Sequence, residues 1–170
     1  MRGAPARRNA HTLADVNIVV RRLHLDDWPM VWPMLLDRGV NDGEPSEAVR
    51  TRYGQLLDDG RWILLGAAVD DDVVGYAAVQ DHGPTLRGGD DHRVARLHDL
   101  YVDPAHRRAG VGRALMAAVC DWAESRVRYL EWQAHRDRAA PFYERLGYRG
   151  DPCPQPEYPT FEVDFRTAAR

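Results

Sequence analysis

The chain has 170 residues, 44% of them hydrophobic and 29% charged, with a formal net charge of −3. It is long enough to bury a domain-sized core, and its charge balance argues against wholesale nucleic-acid binding. No apolar run approaches the ~20 residues of a membrane-spanning helix, and the N-terminal segment lacks the apolar centre of a secretory signal.

Two cysteines, Cys120 and Cys153, make neither a disulfide framework nor a metal-ligand spacing, so a reducing, cytoplasmic setting is the expectation. All 23 basic residues are arginine. A GC-rich coding sequence produces that bias without any functional cause. It still removes every mechanism that needs a lysine, Schiff bases and Walker-type loops included.

Residues 1–15, with Gly3, Pro5 and several arginines but no apolar period, read as a flexible arm, and 16–170 as a single domain with no dividing linker. "VNIVVRR", 16–22, reads as a strand. Asp26 or Asp27 is placed to cap a helix from Trp28 to about Arg38, with Pro29 in its first turn, and Pro33 predicts a kink or a break. After the loop "RGVNDGEPSE", a second helix runs from Ser46 to Asp58. "RWILLGAAV" and "VVGYAAVQ" form a hairpin around the Asp70–Asp72 turn. A loop from His82 to Asp91 leads to the strand "HRVARLHDLYV".

"GVGRALMAAVCDWAES" places Val111, Ala114, Leu115, Ala118, Val119, Trp122 and Ala123 on one helical stripe. "VRYLEWQA" is a strand. "RDRAAPFYERLG" is a short helix with Pro141 near its start and Gly147 at its end, and "PTFEVDF" is a last strand. The order β-α-α-β-β-β-α-β-α-β predicts a mixed sheet covered by helices.

The stretch "YVDPAHRRAGVGRALM", Tyr101–Met116, carries the chemistry. A helix start offers unpaired N–H groups and partial positive charge. Gly110 and Gly112 remove side chains there, and Arg107, Arg108 and Arg113 add charge, which suits a phosphate or pyrophosphate. A dinucleotide fingerprint fails, because its third glycine position is Leu115 and seven residues separate Val102 from Gly110. A glycine-rich helix entry with solvated arginines is the plain alternative for this stretch taken alone.

The pattern R-x-x-G-x-G at Arg107, Gly110 and Gly112, after "LHDLYVDP" and before an amphipathic helix, resembles the acetyl-CoA-binding signature of the GNAT N-acyltransferase superfamily. Tyr129–Tyr148 resembles that family's following strand and helix through Ala139, Tyr143, Leu146, Gly147 and Tyr148. The likeness covers about residues 16–166. It implies a GNAT fold, with a central mixed, mostly antiparallel β-sheet flanked by α-helices on both faces. It also implies acetyl-CoA as co-substrate, no metal, and a primary amine as acceptor. Homodimers are common in the family.

Carried onto this sequence, the resemblance implies that backbone groups of Leu100, Tyr101 and Val102 pair with the pantetheine arm like an added strand. Amides from Arg107 through Arg108, Ala109, Gly110, Val111 and Gly112 to Arg113 cradle the pyrophosphate. Tyr143, following Ala139, lies near the thioester sulfur. One departure is Arg136, which stands where the family often has an asparagine on pantetheine; phosphate or acceptor are the partners open to it.

Transfer to an amine by direct attack needs the amine to lose a proton, since an alkylammonium has a pKa near ~10.4. It also needs a donor for the oxyanion and a proton for the thiolate. The Val102 N–H is assigned to the carbonyl and Tyr143 to the sulfur. Strand alternation puts Asp99 and Tyr101 on one face and His98, Leu100 and Val102 on the helix-packed other, so Asp99 is the candidate base, with a structural carboxylate as the equal alternative. His98, Trp132 and Cys120 read more simply as packed side chains, and His82 as surface. Asp42, Glu44 and Glu47 form either a solvated acidic surface or an attraction for a cationic amine. The seven histidines are scattered without metal-site spacing. Small amines, amino acids, aminoglycoside-like cations and protein N-termini stand side by side as acceptors. Neither nucleic acid nor membrane is expected as a partner, and a non-catalytic acyl-CoA-binding sensor or partner-interaction domain is the rival.

Overall fold

The apolar runs form a seven-stranded sheet in the computed structural model, which describes residues 17–40, 44–152 and 156–165. The arm expected over 1–15 lies outside the described residues. In chain order the elements are β1 (Ile18–Arg22), α1 (Trp28–Arg38), α2 (Ser46–Asp58), β2 (Trp62–Val69), β3 (Asp72–Asp81), β4 (Val94–Val102), α3 (Val111–Glu124), β5 (Tyr129–Gln133), α4 (Ala140–Arg145), β6 (Gly150–Asp151) and β7 (Thr160–Asp164). The sheet order is β1-β2-β3-β4-β5-β7-β6. Every pairing is antiparallel except β4 with β5. The two-residue β6 is the strand the hydrophobic pattern is too short to reveal.

Alternation along the strands splits the core. One face buries Leu65, Val79, Leu97 and Leu130 under the α3 stripe of Val111, Leu115, Val119 and Ala123, with Tyr143 of α4. The other buries Leu64, Tyr76 and Tyr101 under Val31 and Met34 of α1 and Tyr53 of α2. Helices therefore cover both faces, as the fold class requires. Asp70 and Asp71, with φ of 49° and 70°, make the β2–β3 turn; positive φ at both central positions matches the right-handed twist of a hairpin.

Three local expectations are corrected. Of the kink or break expected at Pro33, the break does not occur, since α1 continues through it. The bond Pro33 cannot donate is to Pro29, still in the first turn, and Trp28 packs on Trp32 at 5.3 Å and on Tyr53 at 5.5 Å. Asp27 does not cap α1 with its side chain; it accepts from both terminal nitrogens of Arg21, at 2.7 and 2.8 Å, and from the His24 N–H. The helix expected over 136–147 is only Ala140–Arg145, because Pro141 belongs in a first turn and the N–H groups of Arg138, Ala139 and Ala140 all converge on the His135 carbonyl.

The far end of β3 is locked to β4 by a buried ion pair. Asp81 accepts from Arg93 Nη2 at 2.6 Å and Nε at 3.0 Å, and from the Gly83 N–H at 2.8 Å. Burial raises the Asp81 carboxyl, but Arg93 and the Gly83 N–H outweigh it and hold it below the usual carboxylate range. Asp81→Asn is expected to cost about 2–3 kcal/mol in urea unfolding, less than for a fully enclosed pair because the Arg93 side chain stays 30% exposed. A depressed carboxyl stabilises above its unfolded pKa and loses that contribution as pH falls. The deficit of the variant should therefore shrink below about pH 4.

Candidate active site

β4 pairs with β5 only over Val94–Arg96 against Tyr129–Glu131, and continues to Val102 with no strand on that side among the described residues. On its other side Asp103 donates its N–H to Val74 at 2.9 Å. Gly75 brings β3 so close that a Cβ would stand 2.8 Å from the Tyr101 carbonyl oxygen. Alternation of an antiparallel ladder then turns the backbone groups of Tyr101 toward β3 and those of Leu100 and Val102 toward the open edge. Of the three residues expected along that edge, two present main-chain groups to it. The Val102 carbonyl accepts from Arg107 Nε at 3.0 Å, and the same guanidinium lies 5.7 Å from the Tyr101 ring centroid.

The edge leads into the loop before α3. Asp103 caps a short turn by accepting from the Ala105 N–H at 2.8 Å. Arg108 and Gly110 then take left-handed φ of 69° and 93°. No side chain caps α3, so the N–H groups of its first turn lead out of the fold, with Arg108, Ala109, Gly110 and Arg113 exposed around them. The two glycines serve different ends. Gly110 supplies a conformation that disfavours a side chain, whereas a Cβ on Gly112 would meet the Phe142 ring at 3.1 Å. The helix start, the loop and α4 are thereby packed as one unit.

Asp99 lies on β4 beyond its pairing with β5, and its charge acts on the hydroxyl of Tyr143 on α4. The Tyr143 ring packs against Phe142 at 4.9 Å, Trp132 at 5.2 Å and Phe161 at 5.4 Å. Its hydroxyl makes no hydrogen bond among the described residues. Burial, reinforced by the Asp99 charge, raises its pKa far above that of a free phenol. Asp99 is half-buried, and desolvation lifts its carboxyl above the usual range while Arg38 opposes that lift. Arg38 Nε donates to Asp99 Oδ1 at 3.1 Å. One residue earlier, Asp37 accepts a hydrogen bond from the Tyr101 hydroxyl. The Tyr76 ring stacks on Tyr101 at 5.9 Å, and its buried hydroxyl has no partner among the described residues.

Alternation fails at one point in β4. Ala78 pairs with Asp99 and Val79 with Leu97, so His98 is the extra residue of a bulge. His98 therefore leaves the face of Leu100 and Val102; its ring stacks on Trp62 at 4.9 Å and contacts Gln80 at 3.0 Å, and burial lowers its pKa. Trp132, 2% exposed, and Cys120, against the Tyr148 hydroxyl at 3.3 Å, are packed side chains.

Arg136 is exposed and ties its N–H to the Glu157 carbonyl at 2.7 Å, and Ala139 is exposed just before α4. Glu44 is engaged by Arg52 at 2.7 Å, Glu47 lies 3.9 Å from Arg50, and Asp42 lies outside the described residues. The described residues contain no grouping of three or more potential metal ligands. Sequence reasoning misses Asp37, Arg38 and Tyr76. The one signal for the first two is a charged pair ending an otherwise apolar helix just before Gly39, and Tyr76 reads as an ordinary core aromatic.

A model described as the acetyltransferase (GNAT) family matches residues 19–148. The glucosamine 6-phosphate N-acetyltransferase of Trypanosoma brucei brucei is 35% identical over 77 residues, 45% of this chain and 51% of that protein. Several curated relatives are matched over about half their length or less. A ribosomal-protein-alanine N-acetyltransferase structure from Brucella melitensis biovar Abortus 2308 superposes with a TM-score of 0.61 at 27% identity, over 76% of this chain and 90% of that one. The PaiA N-acetyltransferase from Thermoplasma acidophilum, solved with coenzyme A, shares the fold at a TM-score of 0.67 and 15% identity, over 87% and 99% of the two chains.

Proposed function

The chain belongs to the GNAT acetyltransferase family, and from that premise we propose that it transfers an acetyl group from acetyl-CoA to a primary amine within a ternary complex. The observation that carries this reading is the unpartnered β4 edge running directly into an uncapped helix start ringed by exposed arginines. The residues present fit the coenzyme. Leu100 offers its main-chain N–H and carbonyl to an extended amide-containing arm, as a strand would, and the Val102 N–H beyond it is left for the thioester carbonyl. The first-turn N–H groups of α3, with Arg108 and Arg113, offer an anion site for a diphosphate. A relative of the same fold solved with coenzyme A supports the assignment.

When bound, acetyl-CoA supplies the activated acetyl group. The chain's own residues do the rest. The Val102 N–H, facing the open edge, holds the carbonyl oxygen as negative charge develops on it. Asp99 takes a proton from the incoming ammonium. As the carbon–sulfur bond breaks, Tyr143 donates its hydroxyl proton to the departing sulfur and takes back the proton that the attacking nitrogen sheds on becoming an amide. Arg107, folded back on Val102 and Tyr101, stiffens the strand end rather than reaching outward.

Calorimetry of the full chain with acetyl-CoA should show one-site binding, and thiol release should require an added amine. Binding without turnover across a broad amine panel would turn the reading to an acyl-CoA sensor, and no binding would end it.

A further inference from the structure

The acceptor side of the opening carries opposite charges at fixed spacing. α1 ends over β4, and its last two residues both reach that strand: Asp37 to the Tyr101 hydroxyl and Arg38 to Asp99. Arg38 uses only Nε for Asp99, at 3.1 Å. Its Nη1 and Nη2 make no hydrogen bond among the described residues, and the side chain is 57% exposed. A guanidinium held at Nε presents Nη1 and Nη2 to solvent in a plane set by the first bond, the geometry that takes a carboxylate or phosphate end-on.

A second, independent feature points to a ligand. The Tyr76 hydroxyl is buried, unpartnered among the described residues, and within electrostatic reach of Asp99 and Arg38. A buried hydroxyl without a partner is costly unless a ligand or water completes it.

We propose that Arg38 selects acceptors carrying an anion beside the amine, its outer nitrogens holding a carboxylate or phosphate while Asp99 faces the ammonium. Tyr76 supplies a further donor to the same molecule. This deepens the acetyl-transfer reading above and rests on it. The acceptor class is a zwitterionic primary amine, with its two charges as close as those of an amino acid or an aminoalkyl phosphate. A dicationic amine is disfavoured, because it would place positive charge against the Arg38 fork.

The test compares matched acceptors by thiol release from acetyl-CoA: a set of amino acids against their amides, and phosphoethanolamine against ethanolamine. The parent chain should favour the anionic member of at least one pair by about 10- to 100-fold in kcat/KM, the range of a charge-assisted contact. The pair that responds separates carboxylate from phosphate. Arg38→Gln should bring that ratio to within about 2-fold, and Arg38→Lys should restore part of it. Equal loss for both members of a pair would overturn the proposal, since a fold defect or a lost base acts on both alike. Acetylation of cationic or neutral amines with the anionic members rejected would overturn it while leaving acetyl transfer standing. Failure of every amine together with absent acetyl-CoA binding would remove both.

Discussion

Tyr143→Phe is expected to lower kcat by about 10²- to 10⁴-fold, the usual worth of a positioned acid. Acetyl-CoA affinity should move by less than about 10-fold, because the substitution deletes one oxygen and leaves the ring in place. That ring sits against Trp132, Phe161 and Phe142, so its packing survives in phenylalanine. The lost hydroxyl has no hydrogen bond among the described residues to leave stranded. A variant that melts like the parent, binds the coenzyme and fails to turn over would isolate the proton. Full turnover in stopped-flow thiol release would remove Tyr143 from the reaction.

Asp99→Asn is expected to lower kcat/KM for the amine by about 10²-fold, with a pH signature that a purely structural carboxylate would lack. In the parent, desolvation lifts Asp99 above the ordinary carboxylate value of about 3.9, and Arg38 holds it partly down. Below its pKa the carboxyl keeps its proton and cannot accept one, so the acid limb of the rate profile should lie above that ordinary value. Removing the Arg38 charge removes the lowering influence, and the limb should move to higher pH in Arg38→Gln. A limb that stays fixed in both variants would assign the titration elsewhere and leave Asp99 as a packing residue.

Much of the molecule is legible in the chain because its patterns are long and unopposed. The α3 stripe from Val111 to Ala123 and the bounds of α2 appear as read. The β2–β3 hairpin does too, since Asp70 and Asp71 tolerate positive φ. What is not legible depends on partners distant in sequence. Whether Pro33 breaks α1 is decided by packing between Trp28, Trp32 and Tyr53, not by the proline alone. His98 changes face because one residue of β4 has no counterpart on β3, a mismatch invisible in either strand by itself. Gly112 looks like a concession to a ligand, yet its nearest neighbour is the ring of Phe142, thirty residues along the chain. The pairing of Arg38 with Asp99 spans 61 positions and follows no spacing rule.

The unfilled stretch of β4 has a cost of its own. It is a seam inside the sheet, where the main-chain groups of Leu100 and the Val102 N–H have no strand to pair with among the described residues and where another extended chain would find a template. A molecule that lies along the seam closes it, and by mass action steadies the native state by about 2.7 kcal/mol at a hundredfold excess over its dissociation constant. If the coenzyme is that molecule, as proposed above, its pool in the cell acts as a chaperone for this fold. Depletion of that pool would weaken the protein and silence it in one stroke.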